Sequence, residues 1–445
     1  MSARAAHSKL LRVLGLIFGV AVVVGGMVGQ GILRTPGIVA NAVNSPGLIL
    51  SLWIAGAGLV AISAFAYVEL GTAIPSAGGP YDFVSRAFGP LAGVIAGWGL
   101  WFVLVTLEAF LAIVVAEFLH RVGVLPDIGN SVLAVGILAL LTLVNWTGTR
   151  ISGGSQVAFS ALKGAALMAL VVLLFAQASV QQPSVATEDA AGFLGIVVAM
   201  RAIINTYDGW QDIVLFGEEV EKPERTLPRA MATGVLSVAV IYVLVNMALL
   251  HVLSPAHMAG STLPAADAAK LALGPTGDLA LTLFGVLSVA AIANLSVMKS
   301  ARIAFALARA GHLPRKLSEV ASGGTPRSAL AVSSILAAAF AATGTYNTVV
   351  AMNVAMTVAL VVVVNSAAIR LRRTEPDLPR PFRIPFYPLP AIAAIGLNLA
   401  LLAALVFEDP VHGLGGFAFL AIIGVVYAIF HRAGRQAPGR DVFGS

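Results

Sequence analysis

The chain has 445 residues, of which 58% are hydrophobic and 11% charged, whereas a soluble domain carries about 25% charged residues. This composition excludes an ordinary soluble protein and predicts an all-α polytopic membrane protein, with room for roughly twelve spans. The net charge of +6 indicates basic loops on one side of a membrane and no nucleic-acid binding, and the absence of cysteine excludes disulfides and thiolate metal sites.

Apolar segments long enough to cross a bilayer recur along the chain. We predict one transmembrane domain over residues 1–445, and Lys and Arg are concentrated in its tails and even-numbered connections, which puts both termini in the cytoplasm. The predicted spans are residues 10–42, 47–75, 91–120, 130–147, 153–177, 192–219, 228–253, 276–308, 328–343, 346–371, 386–407 and 411–431.

The first predicted span is interrupted by glycines. Residues 22–36, VVVGGMVGQGILRTP, contain Gly25, Gly26, Gly29 and Gly31. Each glycine costs about 1 kcal/mol relative to alanine inside a helix, so the cluster predicts a helix that stops and restarts within the membrane. Backbone exposed at that depth lines a cavity in transporters. The alternative is a small-residue face for helix packing.

The sixth predicted span has a second interruption. Asn205, Thr206, Asp208 and Gly209 lie in the middle of an otherwise apolar segment, and a charge at that depth is costly and usually functional. Alternatively, Asp208 caps a helix. Interrupted spans one and six predict a five-plus-five inverted repeat, with repeats at about 10–177 and 192–371 and two further helices at about 386–431.

The two interruptions together predict a site for a zwitterion. At the first one, Gly29, Gln30 and Gly31 precede a half-helix that begins near Ile32, whose free N–H groups and positive dipole end suit a carboxylate. At the second one, a helix that ends near residues 205–207 leaves carbonyl groups that suit an ammonium. A carboxylate site facing an ammonium site describes an α-amino acid.

Charged residues lie inside other spans. Lys163 either titrates and couples transport to protons, or stays charged where a sodium ion would otherwise sit; the alternative is that it reaches the cytoplasmic interface. Glu108 relays protons or pairs with a cation, or is a neutral acid between helices. We expect Lys299 and Arg302 to form ion pairs at an inner gate. Glu69 is predicted to be interfacial, and the run at 218–225, EEVEKPER, to be a solvated charge cluster.

Sequence signatures of several enzyme classes are absent. The chain has no HExxH pattern and no histidine cluster at metal-ligand spacing, no GxxxxGK[ST] loop and no GxSxG elbow. We therefore predict that the protein is not an enzyme and needs no metal or cofactor.

Five segments resemble, in order, the signatures of amino acid permeases of the amino acid–polyamine–organocation superfamily, and most closely those of the L-type transporter branch and its bacterial relatives. The segments are GMVGQGILRTPG (Gly26–Gly37), PSAGGPYDFVSRAFGP (Pro75–Pro90), YDGWQDIVLFGEEVEKPERTLPRA (Tyr207–Ala230), SARIAFALARAGHLPRKL (Ser300–Leu317) and LRRTEPDLPRPFRIPFYP (Leu371–Pro388).

The resemblance implies the LeuT-like inverted-repeat fold and alternating access in a bacterial inner membrane. It implies that backbone at residues 29–31 binds the substrate carboxylate and that carbonyls of Met27, Asn205 and Asp208 bind the amino group. Lys163 matches the lysine that replaces sodium in this family, so transport is expected to be sodium-independent.

The chain also departs from the family pattern. Gln30 replaces a small serine, and Asn205 stands where an aromatic gate is common, so closure over the substrate falls to Trp210 or Tyr207. Relatives that pair with a glycoprotein subunit use a cysteine, which this chain lacks, so we expect no disulfide-linked heavy subunit. The expected partners are an amino acid and membrane lipid, and we treat the protein as a monomer.

Side-chain preference is the least determined property. Polar Asn205, Thr206 and Thr106 favour small neutral amino acids, carried by exchange or with protons. The alternative is a polyamine or cationic amino acid carrier with Glu108 or Asp208 as the counter-charge. A different class is a transporter-like sensor that binds an amino acid without moving it.

Overall fold

The computed structural model describes residues 10–29, 31–179, 192–261, 263–343 and 346–436. These residues are helical apart from their loops, and a single isolated β-bridge joins Leu14 and Val220. The helices are α1 (Leu16–Met27), α2 (Gly31–Val43), α3 (Pro46–Ala73), α4 (Pro80–Phe88), α5 (Pro90–Arg121), α6 (Asn130–Trp146), α7 (Thr149–Phe175), α8 (Phe193–Thr206), α9 (Pro223–Val252), α10 (Pro255–Gly260), α11 (Pro264–Leu273), α12 (Gly277–Arg309), α13 (Arg327–Thr343), α14 (Tyr346–Thr374), α15 (Leu389–Glu408) and α16 (Pro410–Gln436). Short 3₁₀ segments lie at Trp210–Phe216, Gly274–Thr276 and Arg315–Ser318.

Length and composition identify the membrane-spanning helices. Among the described residues, 8 helices are long and apolar enough to cross a bilayer: α3, α5, α7, α9, α12, α14, α15 and α16. The bent pair α1 and α2 makes a ninth span if it counts as one, and α6 and α13 are shorter apolar helices. The protein is therefore a multi-pass α-helical membrane protein, while twelve spans and an inverted repeat remain predictions.

The helices divide into buried and peripheral ones. Helix α12 packs along α5, and α9 packs against α1, α3 and α7, so these elements surround the two interrupted segments. In the apolar stretches of α15 and α16 only 11% of the residues are buried inside the protein. Large side chains such as Ile392, Leu399, Val425 and Ile429 are exposed. Exposed apolar helix faces of this kind suit contact with lipid.

Arg86, Arg302, Arg309 and Arg372 form ion pairs with Glu375, Glu219, Glu218 and Glu69 at the ends of α3, α4, α12 and α14; we call this end of the molecule the basic side. Glu69, predicted to be interfacial, is fully buried there, where it pairs with Arg372 and lies 3.4 Å from Arg380 Nε. Its Oε2 also accepts the N–H of Ile384 at 2.7 Å. Because these donors neutralise the carboxylate, Glu69 fixes the loop between α14 and α15 to the end of α3.

The predicted solvated cluster at 218–225 is also partly wrong. Glu219 is fully buried, where it forms a bidentate ion pair with Arg302 of α12 and accepts the Thr149 hydroxyl at 3.1 Å. Lys299, one turn earlier on α12, pairs with Asp212 at 2.6 Å. The expected ion pairs of Lys299 and Arg302 therefore exist, and both are buried.

Candidate functional site

The first interruption lies where the glycine cluster predicts it. Helix α1 ends at Met27, Val28 is extended with ψ 99°, and α2 begins at Gly31, so that the two helices meet at 46°. Gln30 lies outside the described residues. Helix geometry leaves the N–H groups of the first turn of α2 and the last carbonyls of α1 without partners inside their own helices.

The second interruption follows α8. The helix ends at Thr206, and Tyr207–Gly209 form a turn that leads into the 3₁₀ segment Trp210–Phe216. Gly209 has φ +105°, a conformation that side-chain-bearing residues rarely adopt. The sequence therefore predicted the position of this interruption, and a glycine makes it possible.

The two interruptions touch each other through backbone atoms. A Cβ at Gly26 would lie 2.7 Å from the Gly209 carbonyl oxygen, and a Cβ at Gly209 would lie 2.5 Å from the Gly26 carbonyl carbon. Gly31, the first residue of α2, is close to the end of α8, because a Cβ built at Gly31 would lie 3.1 Å from Thr206 Cγ2. The hydroxyls of Thr35 and Thr206 are 2.6 Å apart and link α2 to α8.

Lys163 occupies the open end of α1. The residue is fully buried on α7, and its Nζ donates hydrogen bonds to the carbonyls of Gly25 and Val28. The Ser288 hydroxyl donates to the same Val28 carbonyl at 3.3 Å. The ammonium is therefore a donor to the Gly25 carbonyl and a second donor to the Val28 carbonyl, and it lies at the negative end of the helix dipole. The alternative that Lys163 reaches the interface is wrong, because its side chain ends between these buried carbonyls.

Sequence reasoning missed Tyr242, which links the two interrupted helices. Its hydroxyl oxygen on α9 lies 2.7 Å from the Met27 carbonyl and 3.1 Å from the Thr206 carbonyl, so its single hydrogen serves one of the two at a time. Tyr242 is fully buried and contacts the rings of Trp53 and Tyr207, at centroid distances of 5.4 and 4.9 Å. No local sequence signal separates this tyrosine from a core residue.

A cavity of about 530 Å³ lies between the two interruptions. Asp208 lines it, with Oδ1 accepting the Gln211 side-chain amide at 2.9 Å, and the buried pair of Asp212 and Lys299 lines it as well. The structure brings six of the predicted substrate-binding residues to this cavity: Met27, Gly29, Gly31, Asn205, Thr206 and Asp208.

The remaining predicted residues lie around the cavity rather than along its wall. Tyr207 is buried, with its hydroxyl donating to the Trp53 carbonyl at 3.2 Å, and Trp210 lines a second, adjacent cavity. The Thr106 hydroxyl donates to the backbone of its own helix. Glu108 is fully buried beside Ser300 and Lys299, and its carboxyl oxygens have no hydrogen-bond partner within 3.5 Å among the described residues.

Comparison with protein families matches residues 11–428 to the family described as amino acid permease. The chain belongs to this family, within the amino acid–polyamine–organocation superfamily. Among the described residues of this permease, no cluster of His, Cys, Asp and Glu could hold a metal ion. The cavity is lined by backbone groups, by polar side chains, by the Asp208 carboxylate and by the ion pair of Asp212 with Lys299.

Three relatives illustrate the similarity of this permease to known transporters. It is 27% identical to the serine/threonine exchanger SteT of Bacillus subtilis over 95% of this chain and 98% of that protein. It is 27% identical to the b(0,+)-type amino acid transporter 1 of Mus musculus over 91% and 84% of the two chains. It is 30% identical to the large neutral amino acids transporter small subunit 2 of Rattus norvegicus, over 91% and 78%. These relatives are named as transporters and exchangers, not as enzymes.

Proposed function

We propose that this permease is a sodium-independent secondary transporter that moves a small neutral α-amino acid across the plasma membrane by alternating access. The observation that supports this most strongly is the pairing of helix ends at one cavity. The first turn of α2 presents N–H groups to a carboxylate, and the end of α8 presents carbonyls to an ammonium. A ligand whose ammonium and carboxylate are attached to the same carbon atom matches both ends.

The architecture that we propose has twelve spans in a five-plus-five inverted repeat, with both termini cytoplasmic in a bacterial inner membrane. The first interrupted segment, α1 with α2, and the second, α8 with the 3₁₀ segment that follows it, are then symmetry mates that meet at the bilayer midplane. The arginine-rich basic side faces the cytoplasm under the positive-inside rule. Without cysteine, the chain forms no disulfide with a second subunit.

Sodium independence rests on Lys163. A fixed ammonium bound to the carbonyls of Gly25 and Val28 supplies the positive charge that a sodium ion would otherwise bring to the end of α1. Transport is then driven either by exchange for another amino acid or by protons that bind Lys163 or Glu108. The Bacillus subtilis relative is named as an exchanger.

A cationic substrate is the second candidate, and one observation favours it. Asp208 lines the cavity and is exposed, so its carboxylate can contact a bound ligand. A cationic side chain placed against it would gain a charge-assisted hydrogen bond. Competition by lysine, arginine and putrescine against a neutral substrate distinguishes the two candidates.

The experiment is uptake of labelled serine, threonine and alanine into proteoliposomes. We expect saturable uptake that persists when choline replaces sodium and that increases with unlabelled amino acid inside the vesicles or with an inward proton gradient. Uptake that collapses without sodium would overturn the ion assignment, and currents through single open channels would overturn the carrier mechanism.

A matched pair of glycine variants tests the location of the site. Gly31→Val pushes methyl groups toward Thr206 and the first turn of α2, so we expect binding to be lost. Gly154→Val on α7 is the control, because nothing lies within 4 Å of a Cβ there. Equal affinity in the two variants would contradict the proposed site.

A further inference from the structure

A buried ion pair lines the cavity between the two interruptions. Asp212 lies on the 3₁₀ segment Trp210–Phe216 and Lys299 lies on α12, and the distance from Asp212 Oδ2 to Lys299 Nζ is 2.6 Å. We call these two residues the floor pair. Their side chains are 9% and 5% exposed, so each charge has little contact with solvent and depends on the other as its partner.

The floor pair lies between the cavity and the basic side. Arg302 follows Lys299 by one turn of α12 and pairs with Glu219 on the basic side, and neither is among the described residues that line the cavity. At its other end the cavity reaches Arg121, the last residue of α5. Because α5 begins directly after α4 on the basic side, Arg121 lies at the opposite end of the molecule. In this conformation the cavity is therefore closed toward the basic side.

The floor pair connects both interrupted segments to α12. A Cβ at Gly26 of the first interruption would lie 2.9 Å from Asp212 Oδ2. The other charged groups that face the pair are Asp208, whose charge acts on Asp212, and Glu108, which lies beside Lys299. A path that opens between these elements toward the basic side must therefore separate Asp212 from Lys299.

Separation of the floor pair has a different cost with and without a bound amino acid. Without a ligand it leaves two buried charges unpaired, which is strongly destabilising. With an α-amino acid, the ligand ammonium can bind Asp212 while the ligand carboxylate binds Lys299, so two charge-assisted pairs replace one. A ligand with a single charge replaces only one of the partners and leaves the other charge unpaired.

We propose that the floor pair is an exit site for the amino acid, in which the zwitterion replaces Lys299 as the partner of Asp212 and replaces Asp212 as the partner of Lys299. The path to the basic side then opens readily only when the protein holds an amino acid, because water reaches the separated charges only after the path is open. The protein exchanges one amino acid for another and returns slowly when it is empty. This inference rests on the proposed function, because it adds a second position for the same substrate.

The test compares exchange with net efflux. Proteoliposomes are loaded with labelled serine, and its efflux is measured into buffer with and without unlabelled serine. We expect external serine to accelerate efflux at least about tenfold in the unmodified protein. In the double variant Asp212→Asn with Lys299→Met no charge of the floor pair opposes opening of the empty protein, so the acceleration should fall to a factor of about one.

A second ion pair between the same parts of the chain is the matched control. Arg309 of α12 pairs with Glu218 at 2.8 Å, their side chains are 37% and 17% exposed, and neither is among the described residues that line the cavity. A partly exposed pair contributes little to stability. The double variant Glu218→Gln with Arg309→Met should therefore keep the wild-type acceleration. An equal loss of acceleration in both double variants would overturn the specific role of the floor pair.

Labelling of an introduced cysteine measures the opening itself in a protein that keeps the floor pair. The chain has no cysteine of its own, and Thr149 is fully buried on the basic side, where its hydroxyl donates to Glu219 at 3.1 Å. In purified Thr149→Cys we expect a soluble maleimide to react at least about threefold faster with saturating serine than without it. In the same variant with the floor pair neutralised, the fast reaction should not need serine.

The possible failures are distinguishable. Saturable uptake of serine together with efflux that external serine does not accelerate overturns this inference alone, as does a Thr149→Cys reaction rate that saturating serine leaves unchanged. Absence of saturable uptake of serine, threonine and alanine by the unmodified protein overturns the proposed function and this inference with it.

Discussion

At the scale of single residues, Lys163 determines the chemistry at the end of α1. Its ammonium is bound to two carbonyls. The Gly25 carbonyl lies in the last turn of α1, and the Val28 carbonyl lies directly after the helix end. A buried Gly25 carbonyl without this donor would cost about 1–3 kcal/mol, whereas the Val28 carbonyl would keep the Ser288 hydroxyl. One side chain therefore supports the backbone conformation that the substrate site needs.

We expect Lys163→Met to reduce uptake at least about tenfold, because it removes the ammonium from both carbonyls and leaves only the Ser288 hydroxyl at Val28, while keeping most of the side-chain volume. The measurement is the initial rate of uptake into proteoliposomes across a range of pH. Lys270→Met, at an exposed lysine of α11, is the control and should behave as wild type. A Lys163→Met protein with the wild-type rate and pH profile would contradict the role assigned to this lysine.

Asp82 gives a residue-scale prediction outside the membrane. Burial raises the pKa of this carboxyl group on α4 above its ordinary value of 3.8, although a hydrogen bond from Ser76 and the charge of Arg309 lower it. Its Oδ2 is buried without a hydrogen-bond partner among the described residues. The folded state therefore binds the Asp82 proton more tightly than the unfolded state does.

Stability should consequently fall as pH rises from 3.8 through the raised pKa, because the unfolded state gives up this proton first. Asp82→Asn should lose that component of the pH dependence and become relatively more stable at the upper end of the window. Melting temperatures in detergent across this pH range measure the effect, with Asp127→Asn at an exposed loop position as the control. Parallel curves for Asp82→Asn and wild type would refute the assignment.

At the scale of elements, the contact between the two interruptions depends on two glycines. Gly26 and Gly209 approach so closely that a Cβ on either residue would overlap backbone of the other segment. Gly209 additionally needs its positive φ. The close approach brings the end of α8 to the end of α1, and so brings their unpaired groups to one cavity.

Gly26→Ala should therefore lower stability by about 1–3 kcal/mol and reduce uptake, since a methyl group forces the two segments apart. Thermal stability in detergent and uptake are measured together, and Gly164→Ala on α7 is the control because no atom lies within 4 Å of its Cβ. Equal stability and uptake of the two variants would mean that the contact does not matter.

The sequence predicted these elements well because their signals are local. Glycines and polar residues in an apolar span indicate an interruption, and the predicted restart near Ile32 is close to the observed start of α2 at Gly31. Tyr242 was not predicted, because its role depends on which carbonyls other helices bring near its hydroxyl. The burial of Glu219 was missed for the same reason, since Arg302 is 83 residues away in sequence.

At the scale of the whole molecule, buried charge pairs on the basic side join parts that are distant in sequence. The side-chain carboxylate of Glu219 binds Arg302 of α12 and the Thr149 hydroxyl. The backbone carbonyl of Glu219 accepts the N–H groups of Val13 and Leu14, both at 3.0 Å. The beginning of the first span, the exit of the second interruption, α7 and α12 thus meet at one residue. A pathway opening toward the basic side would have to separate these groups.

Arg302→Met should destabilise the protein by about 3–5 kcal/mol, because it leaves the Glu219 carboxylate buried and unpaired. The double variant that combines Arg302→Met with Glu219→Gln should recover most of this loss, since it removes the charge as well as its partner. Melting temperatures of wild type, both single variants and the double variant form the cycle. Additive losses in the double variant would show that the two residues do not act as a pair.

The central claim is that two interrupted helices bind the charged ends of one amino acid between them, and an experimental map with saturating threonine tests it most directly. The account predicts threonine in the cavity between Gly31 and Asn205, its carboxylate at the first turn of α2 and its ammonium at the carbonyls that end α8 and α1. Threonine bound elsewhere, or two helices that run unbroken across the bilayer with no cavity between them, would contradict it.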